Sequence, residues 1–195
     1  MENLKTGVRE HPFEYTGRVG REYFWDRDPE RLALRELYGS GRIGILSGPR
    51  RVGKSSLAEI VASDMRRAGL IRAAFLDVRE TTAATFFNRL TERVTSLYAE
   101  RWSQRLLRQL SEELRRFRHS PEFSFDPHRL TPTLRFTRIP KDEEDVVLND
   151  IFTLLERAPA EIGKSVVLVL DEFQDVLSRS QLLPEVIKSR FRGGE

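Results

Sequence analysis

Gly48-Pro49-Arg50-Arg51-Val52-Gly53-Lys54-Ser55 is the stretch on which the reading of this chain turns. It fits G-x-x-x-x-G-K-[ST], the phosphate-binding P-loop, and each fixed position has its own physical task. Gly48 and Gly53 let the backbone curl until its N–H groups face a phosphate. Lys54 sets an ammonium against the β- and γ-phosphates, and Ser55 offers a hydroxyl to Mg²⁺. A helix that begins here adds the positive end of its dipole. Nucleotide contacts are expected along the whole run, from Gly48 through Pro49, Arg50, Arg51, Val52, Gly53, Lys54 and Ser55 to Ser56. Side chains at the variable loop positions often point away from the nucleotide, so Arg50 and Arg51 stay outside the catalytic set.

The flanks fit the motif. Ile43-Gly44-Ile45-Leu46 is a short apolar run that predicts a buried strand. Leu57, Ile60, Val61 and Met65 then recur at helical spacing, and Gly69 marks a stop. The order is strand, glycine loop, helix. A second Gly-Lys-Ser, at 163–165, lacks this context: Ala158 stands where the first glycine belongs, and an apolar strand follows rather than a helix. It reads as a turn before a strand.

That strand supplies the other half of a site. Val166-Val167-Leu168-Val169-Leu170 is continuously apolar and ends in Asp171-Glu172. Such a run predicts a parallel strand buried on both faces. Ligands of open α/β sheets bind outside the carboxyl ends of the strands. Asp171 is placed to hold a Mg²⁺ shell and Glu172 to orient and polarise an attacking water. Lys54 and Glu172 are therefore the catalytic candidates, with Ser55 and Asp171 the metal candidates.

Residues 48–57 (Gly-Pro-Arg-Arg-Val-Gly-Lys-Ser-Ser-Leu) and 170–175 (Leu-Asp-Glu-Phe-Gln-Asp) resemble the archaeal-type P-loop ATPases of the AAA+/STAND group. Upstream, Tyr23-Phe24-Trp25-Asp26-Arg27-Asp28-Pro29-Glu30-Arg31-Leu32 is similar to that family's F-x-[DG]-R-E-x-E-L box, with Asp28 in place of the usual Glu and Pro29 inserted. By resemblance, Phe24, Trp25 and Arg27 line an adenine pocket, and the cofactors are ATP and Mg²⁺. Gln174 matches the family's acid-Glu-Phe-Gln pattern and reports the γ-phosphate state, or else is a polar residue at a helix start. Read from the residues alone, Asp28-Pro29-Glu30 is also a helix N-terminus, with Asp28 as the cap and Pro29 at the first position.

The 195 residues suffice for one domain with a core. Lys and Arg number 33 against 30 Asp and Glu, a net +3 too balanced to argue for nucleic acid from bulk charge. The absence of cysteine excludes disulfides and thiolate metal sites and suits a reducing compartment. No leader-like apolar core follows Met1, and no run approaches the ~18–20 apolar residues that span a bilayer. A cytoplasmic location without membrane association is expected. His11, His119 and His128 lack partners at metal-ligand spacing and read as surface residues.

Along the chain, residues 1–22 read as an N-terminal arm and 23–195 as a P-loop ATPase domain. Helices are predicted at 29–38, after the P-loop, over about 83–118, at 142–158 and at 181–192. Strands are predicted at 43–46, 73–78 and 166–170. Prolines at 121, 127, 132 and 140, with alternation at 122–125 and 133–137, predict a short hairpin in an insertion at 119–140 between the second and third core strands. The fold class expected is α/β: a three-layer αβα P-loop NTPase with a parallel sheet, AAA+-like and truncated after the third core strand. By resemblance the sheet order is 5-1-4-3-2, which leaves the first and third strands about 9–10 Å apart without the fourth. The alternative is direct pairing of those two, as in kinase-type P-loop folds. By resemblance too, the polar sensor strand, lid and arginine finger lie beyond Glu195.

The function this predicts is an ATP-binding module that couples MgATP binding and hydrolysis to a conformational switch or motor. ATP is the expected partner, with a homo-oligomer in prospect because relatives complete the site from a neighbour. One alternative is a P-loop kinase, for which Arg179, Arg190 and Arg192 are the weak lid candidates. Another is a DNA- or protein-binding module using the basic helix at 101–118, where arginines stand at 101, 105, 108, 115, 116 and 118. A solvated helix face with Glu–Arg pairs is the favoured explanation of that pattern, since charge runs usually are solvated faces.

Overall fold

The computed structural model describes residues 27–79, 83–98, 122–126, 131–135, 140, 142, 144–177 and 182–191. In chain order the elements are α1 (Asp28–Ser40), α2 (Lys54–Arg67), β1 (Ile71–Asp77), α3 (Ala83–Ser96), β2 (Glu122–Asp126), β3 (Thr131–Arg135), α4 (Glu144–Ile162), β4 (Ser165–Asp171), α5 (Gln174–Leu177) and α6 (Leu182–Phe191). β1 and β4 form a parallel pair, in register from Ile71 opposite Ser165 to Asp77 opposite Asp171. The Val78 N–H extends that ladder by donating to Asp171 O at 3.1 Å. β2 and β3 form a separate antiparallel pair, with Glu122 opposite Arg135, where the alternation pointed to a hairpin.

Side chains on a strand alternate between faces, and the core divides accordingly. Ile71, Ala73 and Phe75 pack with Val167 and Val169 against Leu34 and Tyr38 of α1 and Leu57, Val61, Ala62 and Met65 of α2. Leu76, Leu168 and Leu170 meet Phe86, Phe87, Leu90 and Val94 of α3, Leu148, Ile151 and Phe152 of α4, and Val186 of α6. The result is helices, parallel sheet, helices: the α/β class expected, on a two-stranded sheet. Leu57 and Leu90 are fully buried, each worth about 2 kcal/mol in apolar area removed from water.

Buried hydroxyls in this core are satisfied locally. Thr91 and Thr95 are buried on α3, and their hydroxyls donate to Phe87 O (2.8 Å) and Thr91 O (2.9 Å). Tyr98 Oη donates to Leu154 O at 2.6 Å, fastening the end of α3 to α4. Arg190 on α6 reaches three α4 side chains: Asn149 Oδ1 (2.9 Å), Thr153 Oγ1 (3.0 Å) and Glu156 Oε2 (2.9 Å).

The expected strand at 43–46 is corrected. No strand forms there, and Ile43, Ile45 and Leu46 are 48, 90 and 39% exposed. The physical reason is pairing. β4 is hydrogen-bonded to β1, and among the described residues no ladder joins 43–46 to any strand. An apolar run becomes a strand only where a neighbour accepts its backbone groups. The direct pairing with β4 that a kinase-type sheet needs is likewise not formed among the described residues. The run lies instead against α1, where a side chain at Gly44 would strike Leu37.

Other boundaries shift for identifiable reasons. α1 starts at Asp28 with Arg27 at the cap position, and no side chain caps it. Asp28 Oδ1 accepts instead from Arg31 Nη1 at 3.2 Å. α4 runs past Pro159 to Ile162. Proline inside a helix costs about 3 kcal/mol, but Ala158 at the expected stop and Ile162 beyond it are fully buried beside Ala74, Leu97 and Tyr98. Packing there overrides propensity. The stretch 99–118 of the long helix expected after 83, with its arginines, lies outside the described residues.

Candidate functional site

The loop from Gly48 to Gly53 has the conformation its glycines allow. Gly48 sits at φ +153° and Gly53 at φ +77°, and Gly53 is the N-cap residue of α2. Both are backbone states that L side chains rarely adopt. The first bond inside the helix runs from Leu57 N–H to Gly53 O (2.9 Å). The N–H groups of the first turn therefore point out of the helix end, where the dipole is positive. This is the arrangement that binds anions.

Lys54 is the first residue of α2. Its ammonium donates to Gly48 O (2.9 Å) and Pro49 O (2.7 Å), so the charge is held across the mouth of the loop. Arg50 and Arg51 are exposed, and Arg51 adopts φ +64°. Ser56 is only 5% exposed, so its side chain belongs to the α2 core face and its contribution to an anion is its backbone N–H. Val52 O accepts from Arg27 Nη1 at 2.7 Å, which ties the start of α1 to the loop. Phe24 and Trp25, the other two residues of the expected base pocket, lie outside the described residues.

The β4 end comes to the same place. Ser55 Oγ donates to Asp171 Oδ1 at 2.9 Å across 116 positions of sequence. The same carboxylate oxygen accepts the Glu172 N–H at 3.0 Å. Glu172 leaves the strand at φ +57°, a left-handed conformation costing a non-glycine residue about 1–2 kcal/mol. Gln174 Nε2 donates to Glu172 Oε2, fixing one oxygen of that carboxylate.

Arg79 is the residue that sequence reasoning missed. Its Nε donates to both Asp77 carboxylate oxygens, at 3.0 and 3.1 Å. Its guanidinium is held charged above its ordinary value, first by the hydrogen bonds and charge of Asp77 and then by the negative charges of Glu172 and Asp171. It thus stands in the field of the β4 acidic pair. The available signal was Asp77, two residues ahead at the end of a strand parallel to the acidic one.

The donor set also bears on a metal. Ser55 Oγ and Asp171 Oδ1 are hard oxygens 2.9 Å apart at a helix N-terminus. No cluster of three or more His, Cys, Asp or Glu side chains suited to a metal occurs among the described residues. One hydroxyl and one carboxylate beside a phosphate loop suit Mg²⁺, which is bound by few protein ligands plus waters and substrate phosphates.

A family model described as an AAA ATPase domain matches residues 24–189, most of the chain. No curated protein and no solved structure gave a match. The chain belongs to the AAA ATPase domain family, and ATP is the ligand that membership implies.

Proposed function

We propose that this domain binds MgATP at the Gly48–Ser55 loop and hydrolyses it with Asp171 and Glu172. The observation that carries the reading is the Ser55–Asp171 hydrogen bond, which joins the phosphate loop to the acidic strand end. Lys54 and the first-turn N–H groups of α2 hold the phosphates. Ser55 and Asp171 hold Mg²⁺, which when bound neutralises the charge on the phosphate oxygens. The Glu172 carboxylate orients a water on the γ-phosphate and accepts its proton as the new P–O bond forms and the bond to ADP breaks.

Arg27, tied to Val52 O, anchors the base side of the site, and the resemblance of the Tyr23–Leu32 box extends that role to Phe24 and Trp25. The position of Gln174 on Glu172 supports coupling of the γ-phosphate state to α5, hence a switch or motor. Within the AAA ATPases, Leu170–Asp175 favours the archaeal-type AAA+/STAND group. A cytoplasmic location and a homo-oligomer belong to the same reading, and no described helix is long and apolar enough to cross a membrane.

Phosphate release from ATP without an added acceptor tests the proposal. Mg²⁺-dependent release that Glu172→Gln abolishes supports it. Transfer to a small-molecule acceptor, with no release to water, would move the reading to a kinase.

A further inference from the structure

We propose that the outer edge of β1 is a docking site for an acidic, extended peptide, which adds to the sheet as a third strand. A cavity of about 480 Å³ lies there. Its wall includes four consecutive strand residues, Arg72 to Phe75. Ala73 and Phe75 belong to the face packed on α1 and α2, and Ala74 to the opposite face. Helices from both layers complete the wall, α2 through Arg66 and α3 through Arg93. No residue of β4 contributes. A cavity that meets both faces of a strand and helices on both sides, but not its ladder partner, runs along the strand's other edge.

Half of the backbone N–H and C=O groups of β1 point away from β4 toward that edge. Among the described residues, β4 is the only strand paired with β1. Alanines at 73 and 74 keep the approach to this backbone low. The chemistry of the occupant follows from the charges. Exposed arginines stand on each helical wall (Arg66, Arg93), whereas Arg72, Glu59 and Asp77 of the lining are engaged in interactions of their own. A second copy paired edge to edge would bring its own arginines against these, and like charges across a pairing repel. An acidic strand gains main-chain hydrogen bonds from β1 and ion pairs from the walls, the β-augmentation mode of recognition.

The test is fluorescence anisotropy of a labelled peptide of alternating Glu and Val, about eight residues long, the span of an ordinary strand, titrated with the full chain. Two comparison peptides carry Lys in place of Glu, or N-methyl groups on alternate amides. The variant is Arg66→Glu with Arg93→Glu. Both changes are exposed, and Arg66 lies about 18 Å along α2 from Lys54, so the response to MgATP reports intact folding. The Glu/Val peptide is expected to bind, to weaken about tenfold or more in the double variant, and to lose binding when N-methylated. Failure of the Glu/Val peptide to bind overturns the proposal. So does equal binding of the Lys or N-methylated peptide, and so does a wild-type chain found dimeric through this edge.

Discussion

The Ser55 hydroxyl and the Asp171 carboxylate, 116 positions apart in sequence, are joined by a 2.9 Å hydrogen bond that closes the phosphate loop onto the end of β4. A part-buried hydrogen bond to a charged acceptor contributes about 1.5–3 kcal/mol. Ser55→Ala is therefore expected to lower the denaturant midpoint of the nucleotide-free chain. Asp171→Asn should cost less, because an amide oxygen still accepts. Both should lose the Mg²⁺ dependence of ATP binding. Calorimetric titration with ATP, with and without Mg²⁺, reads this directly: a Ser55→Ala chain that keeps the full Mg²⁺ effect would remove Ser55 from the metal site.

In the proposed reaction Glu172 separates binding from turnover. Glu172→Gln keeps the size and the backbone state but cannot take a proton from water. Hydrolysis is expected to fall by about 10²–10⁴ while MgATP affinity stays within a few-fold. Glu172→Gly relieves the left-handed conformation and should raise stability by roughly 0.5 kcal/mol while also abolishing turnover. Single-turnover hydrolysis and chemical melts of the two variants check the pair of expectations.

Arg190 fastens α6 to α4 through Asn149, Thr153 and Glu156. Its role is structural rather than that of a lid arginine, since all three partners lie on α4. Arg190→Ala is expected to cost about 1–2 kcal/mol, and Arg190→Lys should recover little, because an ammonium cannot reproduce the planar fork. A Lys variant as stable as the wild type would contradict this account of the contact.

Tyr38 carries a pH dependence. Burial between α1 and α2 pushes its phenol up to about 12, and its hydroxyl donates to Ala58 O at 3.2 Å. The folded value lies above the unfolded value near 10, so the contribution is fully present below pH 10 and is lost as pH rises toward 12. Over that window the wild type should lose roughly 2 kcal/mol more than Tyr38→Phe, which has no proton to release. Denaturant melts at pH 9 and pH 11.5 measure the difference.

The geometry of the candidate site was legible in sequence wherever short spacing fixes local structure. Gly48 to Ser55 and Asp171-Glu172 are local motifs, and their convergence requires only that α2 and β4 pack on a common layer. Ile43–Leu46 was misread for the converse reason: apolar character announces burial, but a strand exists only with a paired neighbour. α4 outlasted its expected stop because Ile162, past Pro159, is buried, a tertiary fact invisible to local propensity. Arg79 was missed because its meaning depends on β1 lying beside β4, which brings Asp77 opposite Asp171.

The central claim, a working ATP site at Gly48–Ser55, is tested most directly by a thermal melt with and without MgATP, for the wild type and for Lys54→Ala. A ligand that binds only the folded chain stabilises it by about 2.7 kcal/mol at a hundredfold excess over Kd. The account predicts a cooperative transition that MgATP raises by several degrees in the wild type and leaves unmoved in Lys54→Ala. A cooperative transition that MgATP leaves unmoved in the wild type, or raises equally in both, would contradict it.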